Sequence, residues 1–234
     1  MQKEIKKTLD DLQCEGYKIY QPRSGHRFGE DSVLLANYAA DYYRDKNKRI
    51  KIFDLGSGSG ILSFLLAAKL PEALVSALEI DEDAAKLFEE NILLNGQKDR
   101  MKIYCGDWKD ISNFASKGSF DMVICNPPYY PRESGYAAKD EGKHLPRLLG
   151  DEDEESLYKS VAYLLKDKGL LFMVSRTFRL PQILSHLKDN QLQPVGMQFI
   201  YPDAKSQSKT FLLRARYKGR DGGLIIEEPF IKNS

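Results

Sequence analysis

Apolar residues fall in short runs separated by glycine, proline and acidic positions, and their spacing alternates between two periods along the chain. Ile50 to Leu55, Leu74 to Ile80, Lys102 to Cys105, Met122 to Cys125 and Leu170 to Ser175 are short and largely apolar, which predicts strands buried on both faces. Between them, Ile61 to Leu70 and Asp83 to Asn95 predict helices, the second closed by Gly96 as a C′ residue. Ser156 to Lys166 places Leu157, Val161, Leu164 and Leu165 at helical spacing. Pro181 suits the first turn of a further helix with Ile183, Leu184 and Leu187 inward. Val195 to Tyr201 and Lys209 to Tyr217 read as the last strands. Upstream, Ile5, Leu9 and Leu12 lie on one side of an amphipathic helix, Tyr17 to Gln21 reads as a strand, and Asp31 caps a helix through Tyr43. Strand and helix alternate, so the class is α/β, with a mostly parallel sheet covered by helices on both faces. Without repeats, low-complexity tracts or a clear linker, residues 1–234 are expected to form one domain, with 1–45 as a subregion against the main sheet.

The strand Met122 to Cys125 runs into Asn126-Pro127-Pro128-Tyr129. Two prolines end the strand and stiffen the chain beyond it. An amide side chain, a backbone carbonyl and an aromatic ring are thereby expected at the carboxyl end of a strand, where open parallel sheets bind ligands. Asn126 Oδ1 and the Pro127 carbonyl can accept both hydrogens of a planar NH2 group, and Tyr129 can stack on a flat heterocycle.

Asp54-Leu55-Gly56-Ser57-Gly58-Ser59-Gly60 joins a strand to a helix, and Gly56, Gly58 and Gly60 suit a tight turn that a ligand can approach. The spacing D-x-G-x-G-x-G is neither the dinucleotide fingerprint nor a triphosphate loop, which disfavours NAD and ATP. Glu79-Ile80-Asp81 ends the next strand. Glu79 is expected to take ribose hydroxyls and Asp81 to cap the following helix. Gly106-Asp107-Trp108 ends the third strand, with Asp107 placed for an adenine amino group and Trp108 or a neighbour covering the ring.

These four motifs together resemble the class I S-adenosyl-L-methionine (AdoMet)-dependent methyltransferases, and Asn-Pro-Pro-Tyr resembles the motif of enzymes that methylate planar nitrogens. The upstream segment Gln21 to Ala36, with Phe28-Gly29-Glu30-Asp31-Ser32, is similar to the bacterial tRNA1(Val) adenine-37 N6-methyltransferase family, as is Gly223 to Phe230 near the C-terminus. The resemblance implies a Rossmann-like fold with a mostly parallel seven-stranded sheet, and AdoMet held by Phe28, Asp31, Asp54, Gly56, Gly58, Gly60, Glu79, Ile80, Asp107, Trp108 and Asn126. It implies catalysis by Asn126, Pro127 and Tyr129, with an RNA adenine also meeting Pro128 and Tyr130. A DNA adenine methyltransferase, a glutamine methyltransferase and a non-enzymatic AdoMet- or RNA-binding module stay open. The chain lacks an extended target-recognition region, which disfavours the first. The usual substrate domain of the second has no room before Ile50, and intact Asn126 and Tyr129 argue against the third.

Charge adds one tension. Lys and Arg total 35 against 34 Asp and Glu, a net charge of +1, so RNA contacts require a local basic patch. Candidates are Lys139, Lys143 and Arg147 in the glycine- and proline-rich stretch 130–150, expected to be a mobile substrate loop, and Lys205, Lys209 and Arg214 near the C-terminus. Arg214 and Arg216 alternate in a strand and read either as RNA contacts or as a solvated sheet edge. The acidic run Asp151 to Glu155 favours a helix N-terminus but repels phosphates. Cys14, Cys105 and Cys125 read as reduced core residues with no metal spacing. The start carries no apolar secretory stretch and no run approaches ~20 apolar residues, so a cytoplasmic protein without a membrane span is expected. The resemblance implies a tRNA substrate, and a monomer without a metal is expected.

Overall fold

The computed structural model describes residues 7–23, 29–44, 49–127, 151–220 and 222–232, with no account of the Asp151 side chain. Seven long strands form the sheet: β3 (Lys51–Leu55), β4 (Leu74–Glu79), β5 (Met101–Cys105), β6 (Phe120–Cys125), β7 (Leu165–Arg176), β8 (Leu192–Tyr201) and β9 (Thr210–Tyr217). Their order is β8-β9-β7-β6-β3-β4-β5. Pairing is parallel from β7 to β5, whereas β9 runs antiparallel to both β7 and β8. Two-residue strands β10 (Ile225–Ile226) and β11 (Phe230–Ile231) add to the outer side of β8, so nine described strands share the sheet. The seven expected strands are thus present, extended at one edge by the C-terminal segment.

Alternation along the central strands explains their continuous apolar character. Ile52, Ile124 and Phe172 pack on one face with Leu35, Phe64 and Phe88, from α1 (Glu30–Tyr43), α2 (Ile61–Lys69) and α3 (Glu82–Leu94). Phe53, Val123 and Leu171 pack on the other with Leu157, Val161, Ile183 and Leu187, from α4 (Asp151–Leu164) and α5 (Leu180–Asp189). Successive residues point to opposite faces, so a strand covered on both needs an unbroken apolar run. α3 ends as its glycine predicts: Gly96 has φ 63°, its N–H donates to the Leu93 carbonyl, and that of Gln97 donates to the Ile92 carbonyl. Leu184 departs from expectation and lies 37% exposed, because the inward stripe of α5 is made by Leu180, Ile183 and Leu187.

Among the described residues the expected N-terminal amphipathic helix is not formed. Residues 7–11 are strand β1 (Lys7–Asp11), antiparallel to β2 (Lys18–Pro22), with Leu9 opposite Tyr20. In a strand Leu9 shares a face with Lys7 and Asp11, and it is half exposed. Ile5 lies outside the described residues. What holds the hairpin is a polar ladder from α3. Asn95 accepts from the Lys18 N–H at 3.0 Å and donates to its carbonyl at 2.7 Å. Asn91 does the same for Tyr20, at 2.6 and 3.0 Å. Two residues along a strand span about 6.6 Å and four along a helix rise about 6 Å, so each amide meets alternate peptide groups as a neighbouring strand would. Asn91, wholly buried, also donates to the Ser59 carbonyl at 3.0 Å, tying the hairpin to the glycine loop.

The sheet-edge reading of Arg214 is likewise corrected. β9 lies between β7 and β8, and the Arg214 guanidinium is largely enclosed, 3.2 Å from Glu227 and 4.5 Å from the Tyr42 ring centroid. The Tyr38 hydroxyl donates to the same Glu227 oxygen at 2.9 Å. A side chain at Gly196 would strike this cluster, its Cβ falling 2.7 Å from Arg214 Nη2 and 2.9 Å from both Glu227 and Tyr38. Arg214 therefore locks the C-terminal segment to the sheet.

Asn91→Ala leaves the Tyr20 peptide groups and the Ser59 carbonyl without their partner, a loss of about 1–3 kcal/mol. Urea unfolding is expected to register that loss, and amide exchange at Tyr20 to accelerate. Unchanged exchange at Tyr20 would mean the ladder does not hold the hairpin.

Candidate functional site

β3 lies between β4 and β6, so the chain order reverses beside its carboxyl end and opens a crevice there. Asp54 pairs with Ala77 on one side and Ile124 on the other, which brings the ends of β3, β4 and β6 to one level. The glycine loop follows β3. Gly56, Gly58 and Gly60 have φ of 74°, 56° and 95°, a left-handed turn that side chains resist. Gly60 is needed twice, since a Cβ there would fall 2.6 Å from the Phe88 ring. The N–H groups of Gly56 and Ser57 both donate to the Leu78 carbonyl, pinning the loop to β4.

Glu79 stands at the mouth of this turn. Its carboxylate accepts from the Gly58 N–H at 2.7 Å and the Asp81 N–H at 2.9 Å. Burial raises its pKa, and hydrogen bonds from Asp81, Gly58 and Ile80 oppose that rise. Asp81 caps α3 by accepting from the Ala84 N–H at 2.9 Å. Ile80 between them is 41% exposed, an apolar surface facing out of the chain at the rim. Asp107 accepts from the Lys109 N–H at 3.0 Å and opens the 3-10 helix Trp108–Asn113. The Trp108 ring turns toward the loop: a Cβ on Gly56 would lie 3.7 Å from its Cζ3. Its Nε1 donates to Ser156 at 2.9 Å, fixing the ring against α4. Cys105, expected in the core, is exposed because β5 is the last strand of the sheet.

Asp54 occupies a different place from the other expected ligands. It is wholly buried beneath the loop, and one oxygen accepts from the Ser63 hydroxyl at 2.7 Å while the other has no hydrogen-bond partner. Burial, opposed by Ser63 and reinforced by Glu79, pushes its carboxyl up to about 7. Its side chain ties α2 to the end of β3 and is closed off from solvent.

At the end of β6 the Asn126 amide donates through Nδ2 to the Ser32 hydroxyl at 3.0 Å, and Pro127 is buried. Ser32 belongs to the first turn of α1, three consecutive residues of which each reach a different part of the rim. Glu30 pairs with Lys232 at 2.6 Å, Asp31 with Arg176 at 3.3 Å, and Ser32 with Asn126. The expected cap at Asp31 is replaced by Gly29, because the Asp31 carboxylate is engaged by Arg176 at the end of β7. Lys205 and Lys209 are exposed in the β8–β9 connection at this same end of the sheet. Phe28, Pro128, Tyr129, Tyr130, Lys139, Lys143 and Arg147 lie outside the described residues, as does the whole stretch 130–150.

The arrangement fits AdoMet on its own chemistry. The turn leaves open space above Gly58, where an added Cβ would meet no atom within 4 Å. Carboxylates at Glu79 and Asp107 suit a ribose diol and an amino group, and Ile80 and Trp108 supply apolar surface beside them. Sequence reasoning missed Ser32, Asn91 and Asn95. The asparagines had a signal, an i, i+4 polar pair on the buried side of an amphipathic helix. Ser32 had none, since its partner is 94 residues away.

The methyltransferase small domain family matches residues 32–141. The tRNA1(Val) (adenine(37)-N6)-methyltransferase of Flavobacterium johnsoniae is 26% identical over 202 residues, 86% of this chain and 83% of that protein. The enzyme of the same description from Bacteroides thetaiotaomicron is 31% identical over 167 residues, 71% of this chain and 66% of that one. Among solved structures, a predicted O-methyltransferase from Agrobacterium tumefaciens aligns with TM-score 0.68 at 21% identity, covering 87% of this chain and 88% of its own. The Thermus thermophilus 16S rRNA N2 G1207 methyltransferase, solved with AdoMet and guanosine, aligns with TM-score 0.64 at 18% identity, covering 92% and 51%. At these identities the likeness is one of fold, the Rossmann-like methyltransferase fold. No described helix is long and apolar enough to cross a membrane.

Two outcomes are expected here. A carboxyl raised from 3.8 to about 7 on folding stabilises the native state fully below the lower value and loses that contribution as pH rises through the upper one. Across pH 4 to 8, wild type should therefore lose on the order of a few kcal/mol relative to Asp54→Asn. A pH-independent gap in urea titrations would show that the buried Asp54 carboxyl stays ionised over this range and that its pKa is not raised by folding. Glu79→Ala should weaken AdoMet binding at least tenfold by calorimetry, and unchanged affinity would make Glu79 a brace for the loop only.

Proposed function

From a chain that belongs to the tRNA1(Val) (adenine(37)-N6)-methyltransferase family, we infer an enzyme that methylates the exocyclic N6 of an unpaired adenine in tRNA, adenine 37 of the anticodon loop. The observation that carries the mechanism is the Asn126–Ser32 hydrogen bond. With Nδ2 committed to Ser32, Oδ1 is the atom turned to the other side and acts only as an acceptor.

Asn126 Oδ1 and the Pro127 carbonyl each accept one hydrogen of the adenine amino group. Those two bonds draw density onto a nitrogen whose lone pair is otherwise delocalised into the ring. They also fix the orientation of that lone pair relative to the glycine loop. Tyr129, the next aromatic residue of the motif, stacks on the extruded base. When bound, AdoMet supplies an electrophilic methyl group on a positively charged sulfonium. Glu79 would hold the ribose hydroxyls of the cofactor and Asp107 the amino group of the cofactor's own adenine, with Ile80 and Trp108 supplying apolar surface beside that ring. Orientation carries much of the rate, an effect worth up to roughly 7–11 kcal/mol in well-aligned cases. No strong general base is required of this chain, because the amino proton becomes acidic only once nitrogen carries the new bond. An anticodon-loop adenine is already unpaired, so extruding it costs less than opening a base pair.

Three residues of the acidic run that argued against RNA are paired. Asp153 pairs with Lys109 at 2.5 Å, Glu155 with Lys159 at 2.6 Å, and buried Glu154 with Arg179. Its repulsion of phosphates is reduced accordingly.

Nucleoside analysis of unmodified tRNA treated with the protein and labelled AdoMet should yield N6-methyladenosine. Label in protein instead would favour glutamine methylation. Asn126→Ala should abolish turnover with AdoMet affinity nearly unchanged. Ser32→Ala should lower kcat roughly 10- to 100-fold by releasing the amide, about 1.4–2.7 kcal/mol of transition-state stabilisation, with KM little changed. Ser32→Thr should recover most of the rate. Equal turnover of Ser32→Ala and wild type would remove Ser32 from the mechanism.

A further inference from the structure

The carboxyl rim carries a second surface one strand away from Asn126. Met173 of β7 is the partner of Cys125. β7 continues to Arg176, two residues further along than the level of Asn126 and on the order of 10 Å from it. The chain then bends through the 3-10 helix Thr177–Arg179. Phe178 in this turn is 55% exposed, the most exposed aromatic side chain among the described large apolar residues.

The turn is fastened to the β8–β9 connection. The Thr177 N–H donates to the Lys209 carbonyl at 3.1 Å and its hydroxyl to the Ser208 carbonyl at 3.2 Å. The Arg176 guanidinium donates to the Thr210 hydroxyl. The connection has its own internal support: Asp203 accepts from the N–H groups of Lys205 and Ser206 at 2.8 and 3.0 Å, and from the Ser206 hydroxyl at 2.6 Å. Phe178, Lys205 and Lys209 therefore belong to one preformed surface.

Charge on that surface is sorted. Arg176 is held by Asp31, Arg179 by Glu154 and Lys232 by Glu30. Lys205 and Lys209 are exposed and make no ion pair among the described residues. An exposed ring beside two uncommitted ammonium groups matches single-stranded nucleic acid, in which flat bases alternate with phosphates.

We propose that Phe178, Lys205 and Lys209 form a docking surface for the single-stranded RNA adjoining the target adenine, with Phe178 stacked on a flanking base and the lysines on phosphates. This rests on the RNA reading above and extends it to a second nucleotide. Phe178 is distinct from the aromatic residue of the Asn-Pro-Pro-Tyr motif, which serves the extruded base itself.

The test uses the full chain and a fluorescent anticodon stem-loop RNA. Phe178→Ala should weaken RNA binding roughly 5- to 150-fold, the equivalent of about 1–3 kcal/mol per stacked base. AdoMet affinity should stay unchanged. Phe178→Trp should bind within a few-fold of wild type, whereas Phe178→Leu, which keeps an apolar side chain and covers against misfolding of the alanine variant, should not. Lys205→Ala with Lys209→Ala should flatten the dependence of log affinity on log salt by about 1.4, the value for two phosphates on a single strand. If wild type methylates tRNA while Phe178→Ala and Phe178→Leu both bind RNA as it does, the surface is overturned and the enzyme reading stands. If wild type neither binds nor methylates RNA, or binds an acidic peptide instead, both are overturned.

Discussion

The parallel pairing of β3 with β4 on one side and β6 on the other is the constraint on which the site depends. Parallel neighbours end at the same rim, so the glycine loop, Glu79 and Asn126 converge although 70 positions separate Gly56 from Asn126 in the chain. The convergence is then locked by hydrogen bonds that leave little slack. The loop amides of Gly56 and Ser57 hang from Leu78, and Glu79 takes the N–H of Gly58. A carboxylate held this way is preorganised, since its rotamer is set before a ligand arrives.

Around this centre the structure recruits distant segments through single polar residues. The first turn of α1 connects to β6 through Ser32, to β7 through Asp31 and to the C-terminal segment through Glu30. Its two carboxylates also sit where the helix dipole favours negative charge. Asn91 joins the hairpin, α3 and the glycine loop, and Glu227 joins the C-terminal segment to Tyr38 and Arg214. Glu227, within the C-terminal segment of the resemblance, thus fastens that segment to α1 and β9.

Charge is organised by the same local pairing. A net charge of +1 would suit RNA poorly if it were spread evenly. Pairing instead neutralises Asp153, Glu154 and Glu155 and several basic groups of the rim. The sum is uninformative, while the distribution leaves Lys205 and Lys209 without an ion pair among the described residues, in a connection fastened to the turn that carries the exposed Phe178 ring.

The central strands, the helices between them and the turn chemistry were legible in the sequence. Two-sided burial writes itself as unbroken apolar runs, and Gly60, Gly96 and Asp81 answer to local backbone geometry. The position of Asn126 and Pro127 at a strand end was legible too, because motif and strand are contiguous. Residues whose partners lie far away in the chain were not. Whether residues 7–11 form helix or strand depended on β2 and α3, and Leu9 fits either period. Arg214 reads as a basic surface residue until the order of strands places it inside the sheet. Asp54 reads as a cofactor ligand until burial puts it beneath the loop. The sequence by itself determined the fold class and the placing of an amide at the end of a strand, since both rest on local patterns. Only the tertiary structure decided which way that amide faces and which charges remain uncommitted, because hydrogen bonding and ion pairing are settled by neighbours in space.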